Sequence, residues 1–118
     1  MNYKIKKLKN KIAYIHLEGR LIAEFQTVSI TDELDALLEE NYRNLIFDLS
    51  GLEYMSSSGL GFFLKWLTKM RKHDGEVVLC SLNNMLKSLL VTTKLVSFFA
   101  ICENKDEALV YLEKEKSH

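Results

Sequence analysis

Proline is missing altogether from this chain of 118 residues, where average usage would give about six. No functional reading follows from that absence. Cysteine is scarce. Cys80 and Cys102 are too few and too far apart in sequence for a disulfide framework, and they form no CxxC pair suited to redox or metal chemistry. Each closes an apolar run, Val77-Val78-Leu79-Cys80 and Phe98-Phe99-Ala100-Ile101-Cys102, which predicts small buried thiols in strands. The histidines His16, His73 and His118 are scattered without metal-ligand spacing, so no metal site and no cofactor is expected. Net charge is absent too, with Lys plus Arg and Asp plus Glu at 16 each. That balance argues against nucleic acid as a partner, because counterion release needs a cationic excess or patch. No apolar run approaches the roughly 18 residues of a membrane span, so no membrane insertion is expected. The basic start, Met1 to Lys11, has no apolar stretch behind it and does not read as a signal peptide, which points to the cytoplasm. Gly/Ser-rich linkers, low-complexity segments and internal repeats are also missing.

What is present is ordinary globular material: 47% hydrophobic and 27% charged residues in 13.7 kDa. The expectation is one domain over residues 1–118, with room for a single core. Tyr3-Lys4-Ile5 alternates, and Ile12 to Leu17 is an apolar-rich run that stops at Gly19. With Lys9-Asn10-Lys11 as the turn, the two read as a hairpin whose lysine-bearing first strand suits a solvated edge. A helix is predicted from about Gln26 to Asn41, with Ile30, Leu34, Leu37 and Leu38 on one face and an acidic solvated face opposite. Leu45-Ile46-Phe47 reads as a central strand buried on both sides, ending in an Asp48-Leu49-Ser50-Gly51 loop. A second helix spans about Ser57 to Lys72, then a strand at Val77 to Cys80, a third helix over about Asn83 to Thr92, and a strand at Phe98 to Cys102. A last helix covers about Lys105 to Lys114, with Asn104 as N-cap. The alternation gives an α/β fold: a mixed sheet of about five strands, parallel after the N-terminal hairpin, with about four helices.

The informative stretch runs from Leu45 to Gly61: a buried strand, then a helix opening on Ser56-Ser57-Ser58-Gly59. The first N–H groups of a helix have no intrahelical partner and lie at the positive end of its dipole, so a phosphoserine there sits in a suitable field. The simpler reading makes one serine an N-cap. Gly59 and Gly61 complete neither a P-loop nor a GxGxxG fingerprint. At 100° per residue, Leu60, Phe63, Leu64 and Leu67 share a core face. Phe62 and Trp66 fall off it, either as a second buried face or as an exposed aromatic patch for a partner.

Phe47-Asp48-Leu49-Ser50-Gly51-Leu52-Glu53-Tyr54-Met55-Ser56-Ser57-Ser58-Gly59-Leu60-Gly61 resembles the core motif of the anti-sigma factor antagonists, stand-alone STAS domain proteins of bacteria. That motif reads like D-L-S-x-L-x-[FY]-[MI]-D-S-[ST]-G-L-G. The resemblance continues in Gly75-Glu76-Val77-Val78-Leu79, in Leu89 through Phe98 and in Glu107-Ala108-Leu109. It implies a STAS fold and a binding switch without catalysis of its own. Ser57 matches the serine that an anti-sigma factor with serine kinase activity phosphorylates and a metal-dependent phosphatase restores. The unphosphorylated form binds the kinase and so regulates sigma-factor-dependent transcription. Ser56, Ser58 and Gly59 would form the acceptor loop and helix start. Phe62 and Trp66 would supply the binding patch. Two family acids are replaced here, by Ser56 and by Ile22, with Glu24 the one nearby substitute. Lys94 stands where the family favours glycine after the third helix. The alternatives are a non-phosphorylated scaffold or transporter-associated STAS subunit and, in another class, a response-regulator receiver using Asp48. The receiver lacks the acidic pair that would hold Mg²⁺.

Overall fold

The computed structural model describes residues 1–116; His118 lies outside them. Strand β1 (Asn2–Leu8) turns through a 3-10 segment at Lys9–Lys11 into β2 (Ile12–Leu21). A second 3-10 turn at Glu24–Thr27 leads to helix α1 (Val28–Glu39). Then come β3 (Asn44–Met55), α2 (Ser57–Lys72), β4 (Glu76–Cys80), α3 (Asn84–Thr92), β5 (Ala100–Cys102) and α4 (Lys105–Lys116). The five strands lie side by side in chain order, β1 antiparallel to β2 and the rest parallel. The predicted mixed sheet with four helices is what forms.

Alternation along the strands divides the core in two. Ala13, Ile15 and Leu17 of β2, Leu45, Phe47 and Leu49 of β3, and Val77 and Leu79 of β4 face α1, α2 and α3. The intervening Ile12, Ile46, Val78 and Cys80 face α4 through Ala108 and Leu112. Three helices therefore cover one face of the sheet and a single helix covers part of the other.

Two elements depart from the sequence reading. The Asp48-Leu49-Ser50-Gly51 loop is strand, because β3 continues to Met55 alongside β2 with register shifts between His16 and Glu18 and between Gly19 and Arg20. Such bulges let a strand bend without losing its partner. The last strand begins at Ala100 rather than Phe98; Phe98 is exposed, and its carbonyl accepts from Arg71 at 2.9 Å.

Helices α1, α2 and α3 share one ending. The residue after each C-cap, Asn41, Asp74 and Lys94, has positive φ (71°, 62° and 62°). The next N–H reaches back to Leu37, Met70 and Leu90 carbonyls at 3.0, 2.8 and 2.9 Å, the Schellman arrangement. Asn and Asp tolerate that backbone; a lysine Cβ strains it by about 1 kcal/mol. Lys94→Gly is therefore expected to raise stability by up to roughly 1 kcal/mol, offset in part by the freer unfolded chain. The denaturation midpoint of the variant measures it, and a clear fall would show that α3 does not need its left-handed exit.

Candidate functional site

Helix α2 starts where the chain leaves β3 beside the end of β2. Ser56 is the N-cap, with extended backbone (φ −89°, ψ −179°). Its N–H donates to the Leu21 carbonyl at 2.9 Å and its hydroxyl to the Ile22 carbonyl at 3.0 Å. The same hydroxyl oxygen accepts from the Gly59 N–H at 3.3 Å. Gly59 makes that seat possible, since a Cβ on it would stand 2.7 Å from the Leu21 carbonyl oxygen. The cap role thus falls to Ser56. Ser57 and Ser58, the first two helical residues, are exposed. Neither hydroxyl bonds another described residue, and their N–H groups lie at the unpaired, positive end of the helix.

The connection from β2 to α1 lies next to this corner. Gln26 clasps it: its side-chain oxygen accepts from the Ile22 and Ala23 N–H groups at 2.9 and 3.0 Å, and its nitrogen donates to the Arg20 carbonyl at 2.9 Å. Glu24 is exposed in the turn that packs on α2. Ile22 is 51% exposed, Phe25 78% and Val28 59%.

The exposed aromatic patch expected from Phe62 and Trp66 does not exist. Phe62 is 6% exposed and Trp66 0%. Phe62 meets Phe47 and Phe63 edge-to-face at 5.9 and 5.3 Å. The cause is that α2 is flanked on both sides: Lys69 pairs with Asp35 of α1, and Arg71 bonds the Phe98 carbonyl of the α3–β5 connection. A helix walled in this way buries more than one stripe, and Leu64 of the predicted core face is only half-buried. In the β2–α1 connection, whose 3-10 turn packs on α2, and at the first residue of α1, the apolar side chains that face solvent are Ile22, Phe25 and Val28; Tyr54 of β3 is exposed as well. For Val28 the signal in the sequence is phase, since it falls off the Ile30-Leu34-Leu37 stripe of α1; Ile22 and Phe25 precede the helix and carry no such signal.

Sequence reading also missed a polar cluster on the sheet face that α4 leaves open. His16 and Asp48 are partners in the β2–β3 register. Asp48, 9% exposed, accepts from the Tyr14 hydroxyl, from the Ser50 N–H at 2.9 Å and from His16 Nδ1 at 3.0 Å. His16 Nε2 lies 3.0 Å from a Glu18 carboxylate oxygen. Burial by itself would push Asp48 up, but these hydrogen bonds outweigh it and hold the carboxyl at about 2. The Asp48 contact, opposed by burial and aided by Glu18, raises His16. Burial, then the Asp48 hydrogen bond, raises Tyr14. With its carboxylate committed to three donors, Asp48 is a poor receiver-type phosphoacceptor.

Against known proteins, the STAS domain family matches residues 3–108. This chain belongs to the STAS domain family. It is 29% identical over 105 residues to BtrV of Bordetella bronchiseptica, a protein assigned to the anti-sigma factor antagonists, across 83% of this chain and 90% of that one. Among solved structures it is similar to the anti-sigma factor antagonist SpoIIAA in its unphosphorylated form, with a TM-score of 0.73 at 16% identity over 92% of this chain and 94% of SpoIIAA. A sulfate transporter family protein from Wolinella succinogenes matches with a TM-score of 0.78 at 13% identity, over 96% of this chain and 93% of that one. Within the STAS fold of this protein, no helix among the described residues is long and apolar enough to cross a membrane.

The polar cluster sets a pH dependence. A carboxyl lowered from 3.8 to about 2 contributes about 2 kcal/mol of stability above pH 3.8, lost as pH falls toward 2. A raised histidine contributes below its ordinary 6.5 and loses that contribution as pH rises through its folded value. Wild type should therefore exceed His16→Gln in thermal midpoint most clearly at pH 5–6 (roughly the window that both groups favour), and the gap should close toward alkaline pH. A gap that is flat between those limits would mean that His16 carries no charge in the fold.

Proposed function

We propose that this protein is a phosphorylation-controlled binding switch with no catalysis of its own. Unphosphorylated, it engages an anti-sigma factor that is also a serine kinase, and so regulates sigma-factor-dependent transcription. Phosphate on Ser57 ends that binding and a metal-dependent serine phosphatase restores it. One observation carries the reading: of the three serines at the α2 start, Ser56 is spent on the cap while Ser57 and Ser58 present uncommitted hydroxyls at the helix's positive end, and of these two Ser57 matches the acceptor position of the motif. The anti-sigma factor antagonist role of the relatives, and the existence of SpoIIAA in a phosphorylated form that matches this chain equally (TM-score 0.73), support it.

Ile22, Phe25 and Val28 supply the contact surface in place of Phe62 and Trp66, with Glu24 and Ser58 at its rim. Aromatic and aliphatic anchors in a desolvated patch dominate binding energy. A dianion forced among them lacks a partner, because Ser56 and Ile22 are neutral and no cation among the described residues bonds Ser57. Such a charge costs about 2–5 kcal/mol of binding, or roughly 30- to several-thousand-fold in affinity. The likeness to the transporter family protein leaves a second reading, a scaffold that is never phosphorylated.

Mass spectrometry of protein from its native cell decides between them. Phosphate on Ser57, removed by a metal-dependent serine phosphatase, is expected. Phosphate confined to Ser56 or Ser58 overturns the assignment, and none under any growth condition favours the scaffold. Phe25→Ala should leave the thermal midpoint unchanged and weaken capture of the anti-sigma factor by roughly 30-fold or more. Unchanged capture would remove the β2–α1 connection from the interface.

A further inference from the structure

The fold brings together the two cysteines that the sequence keeps apart. Strands β4 and β5 are parallel, and Cys80 and Cys102 stand opposite each other in their register. Both join the layer under α4, Cys80 buried and Cys102 half-buried, and both are free thiols. Opposed residues on neighbouring strands point to the same face, and strands lie about 4.8 Å apart. That spacing is inside the roughly 4.4–6.8 Å Cα range of disulfides. Side chains standing at that spacing must close by about 1 Å to reach the mean disulfide Cβ separation of about 3.8 Å. β5 is suited to give that movement, being a three-residue strand at the sheet edge. The turn after β4 keeps the pair in register. Ser81, with φ 62°, donates its N–H to the Cys102 carbonyl and its hydroxyl to the Glu103 carbonyl, each at 3.3 Å.

We propose that Cys80 and Cys102 are a reversible redox site that closes to an intramolecular disulfide on meeting a low-molecular-weight disulfide oxidant. Cys102, the more open of the two, gives its proton to solvent and its thiolate attacks one sulfur of the oxidant. The oxidant's S–S bond breaks, and one thiolate leaves and takes up a proton. Cys80 then loses its proton and attacks Cys102 Sγ, expelling the second thiol. The cysteine pair gives up two electrons and two protons, and the oxidant becomes two thiols. Burial pushes the Cys80 thiol up to about 11, with the Asp48 and Cys102 charges adding to it and a Ser81 hydrogen bond opposing. Burial first and Glu107 second raise Cys102. The site is accordingly slow at neutral pH and faster in alkali. The strain at the strand edge keeps it reducible. The closed loop holds α3, whose cap Asn83 donates to the Leu52 and Glu53 carbonyls at 3.2 and 3.4 Å. Oxidation therefore stiffens the strand leading into Ser57, whatever the fate of Ser57 itself.

The test uses the full chain incubated with glutathione disulfide at pH 7 and pH 9, acid-quenched, alkylated, digested and weighed. A Cys80–Cys102 linked peptide from monomeric protein is expected, forming at least roughly tenfold faster at pH 9. A thermal midpoint raised by roughly 5–10 °C should accompany it and reverse with dithiothreitol. Cys80→Ser should stop at the mixed disulfide on Cys102 with no rise in midpoint, and Cys102→Ser should leave Cys80 unmodified. Both wild-type thiols recovered free, a mixed disulfide on Cys102 that goes no further, or cysteine-linked dimers would each overturn the proposal.

Discussion

Everything near the serines hangs on how closely the first turn of α2 approaches the end of β2. Ser56 places its N–H on the Leu21 carbonyl and its hydroxyl on the Ile22 carbonyl, while Gly59 keeps the space that a Cβ would fill at 2.7 Å. These contacts set the helix start and the β2–α1 connection as one rigid corner. With Ser56 fixed, helical geometry leaves Ser57 and Ser58 outside and turns Gly59 and Leu60 inward. The corner also sets what the connection displays. Gln26 ties off the Ile22 and Ala23 N–H groups, so the backbone beneath the exposed Ile22 side chain is satisfied within the connection.

The sheet is covered unequally, and this sorts the chemistry of the molecule. Under α1, α2 and α3 the inward positions of β2, β3 and β4 are apolar, so α2, walled by a helix and a connection, buries even Trp66, whose indole N–H finds no partner among the described residues. On the other face α4 reaches only the first part of the strands. Beyond it the same alternating positions hold Tyr14, His16, Glu18, Asp48 and Ser50. An isolated carboxylate at 9% exposure would be costly. Here it has three donors, and the contact with one of them, His16, favours that ring's charged form. His16 presents both ring nitrogens to carboxylates, a geometry that only the doubly protonated ring satisfies, since carboxylates accept and do not donate. Lys4 and Lys6 of β1 stand opposite His16 and Tyr14 in the register, and Lys105 lies over the Tyr14 ring at 4.8 Å.

Much of this was legible in the residues, and what was not has physical reasons. The α2 limits, Ser57 to Lys72, and the strand–helix alternation follow from period and capping chemistry, which are local. The left-handed exit at Lys94 was readable only through a family pattern, because nothing about lysine announces positive φ. Phe62 and Trp66 show the limit of a helical wheel. It sorts side chains by angle but not by how many neighbours the helix will acquire. The extension of β3 through Gly51 was hidden because a bulge breaks strict alternation. His16 with Asp48, and Cys80 with Cys102, lie 32 and 22 residues apart. Parallel register alone unites each pair, and no spacing rule in a single chain encodes it.

On the proposed reading, the same corner lets a charge at Ser57 act on a surface and leave the fold alone. A phosphate at the first helical residue gains about 0.3–1 kcal/mol from the helix end when exposed. It displaces no cap, because Ser56 already holds the Gly59 N–H and the Ile22 carbonyl. The neutral side chain of the Ser56 cap points the same way: it sets no repulsion of its own against a dianion on Ser57. The core beneath is reached only through Gly59 and Leu60, which face inward. Interior packing responds to volume and contact, not to a screened charge in water. On the proposed reading, then, the energetic difference between the two states must appear where the charge loses its water, which is against a partner seated on Ile22, Phe25 and Val28.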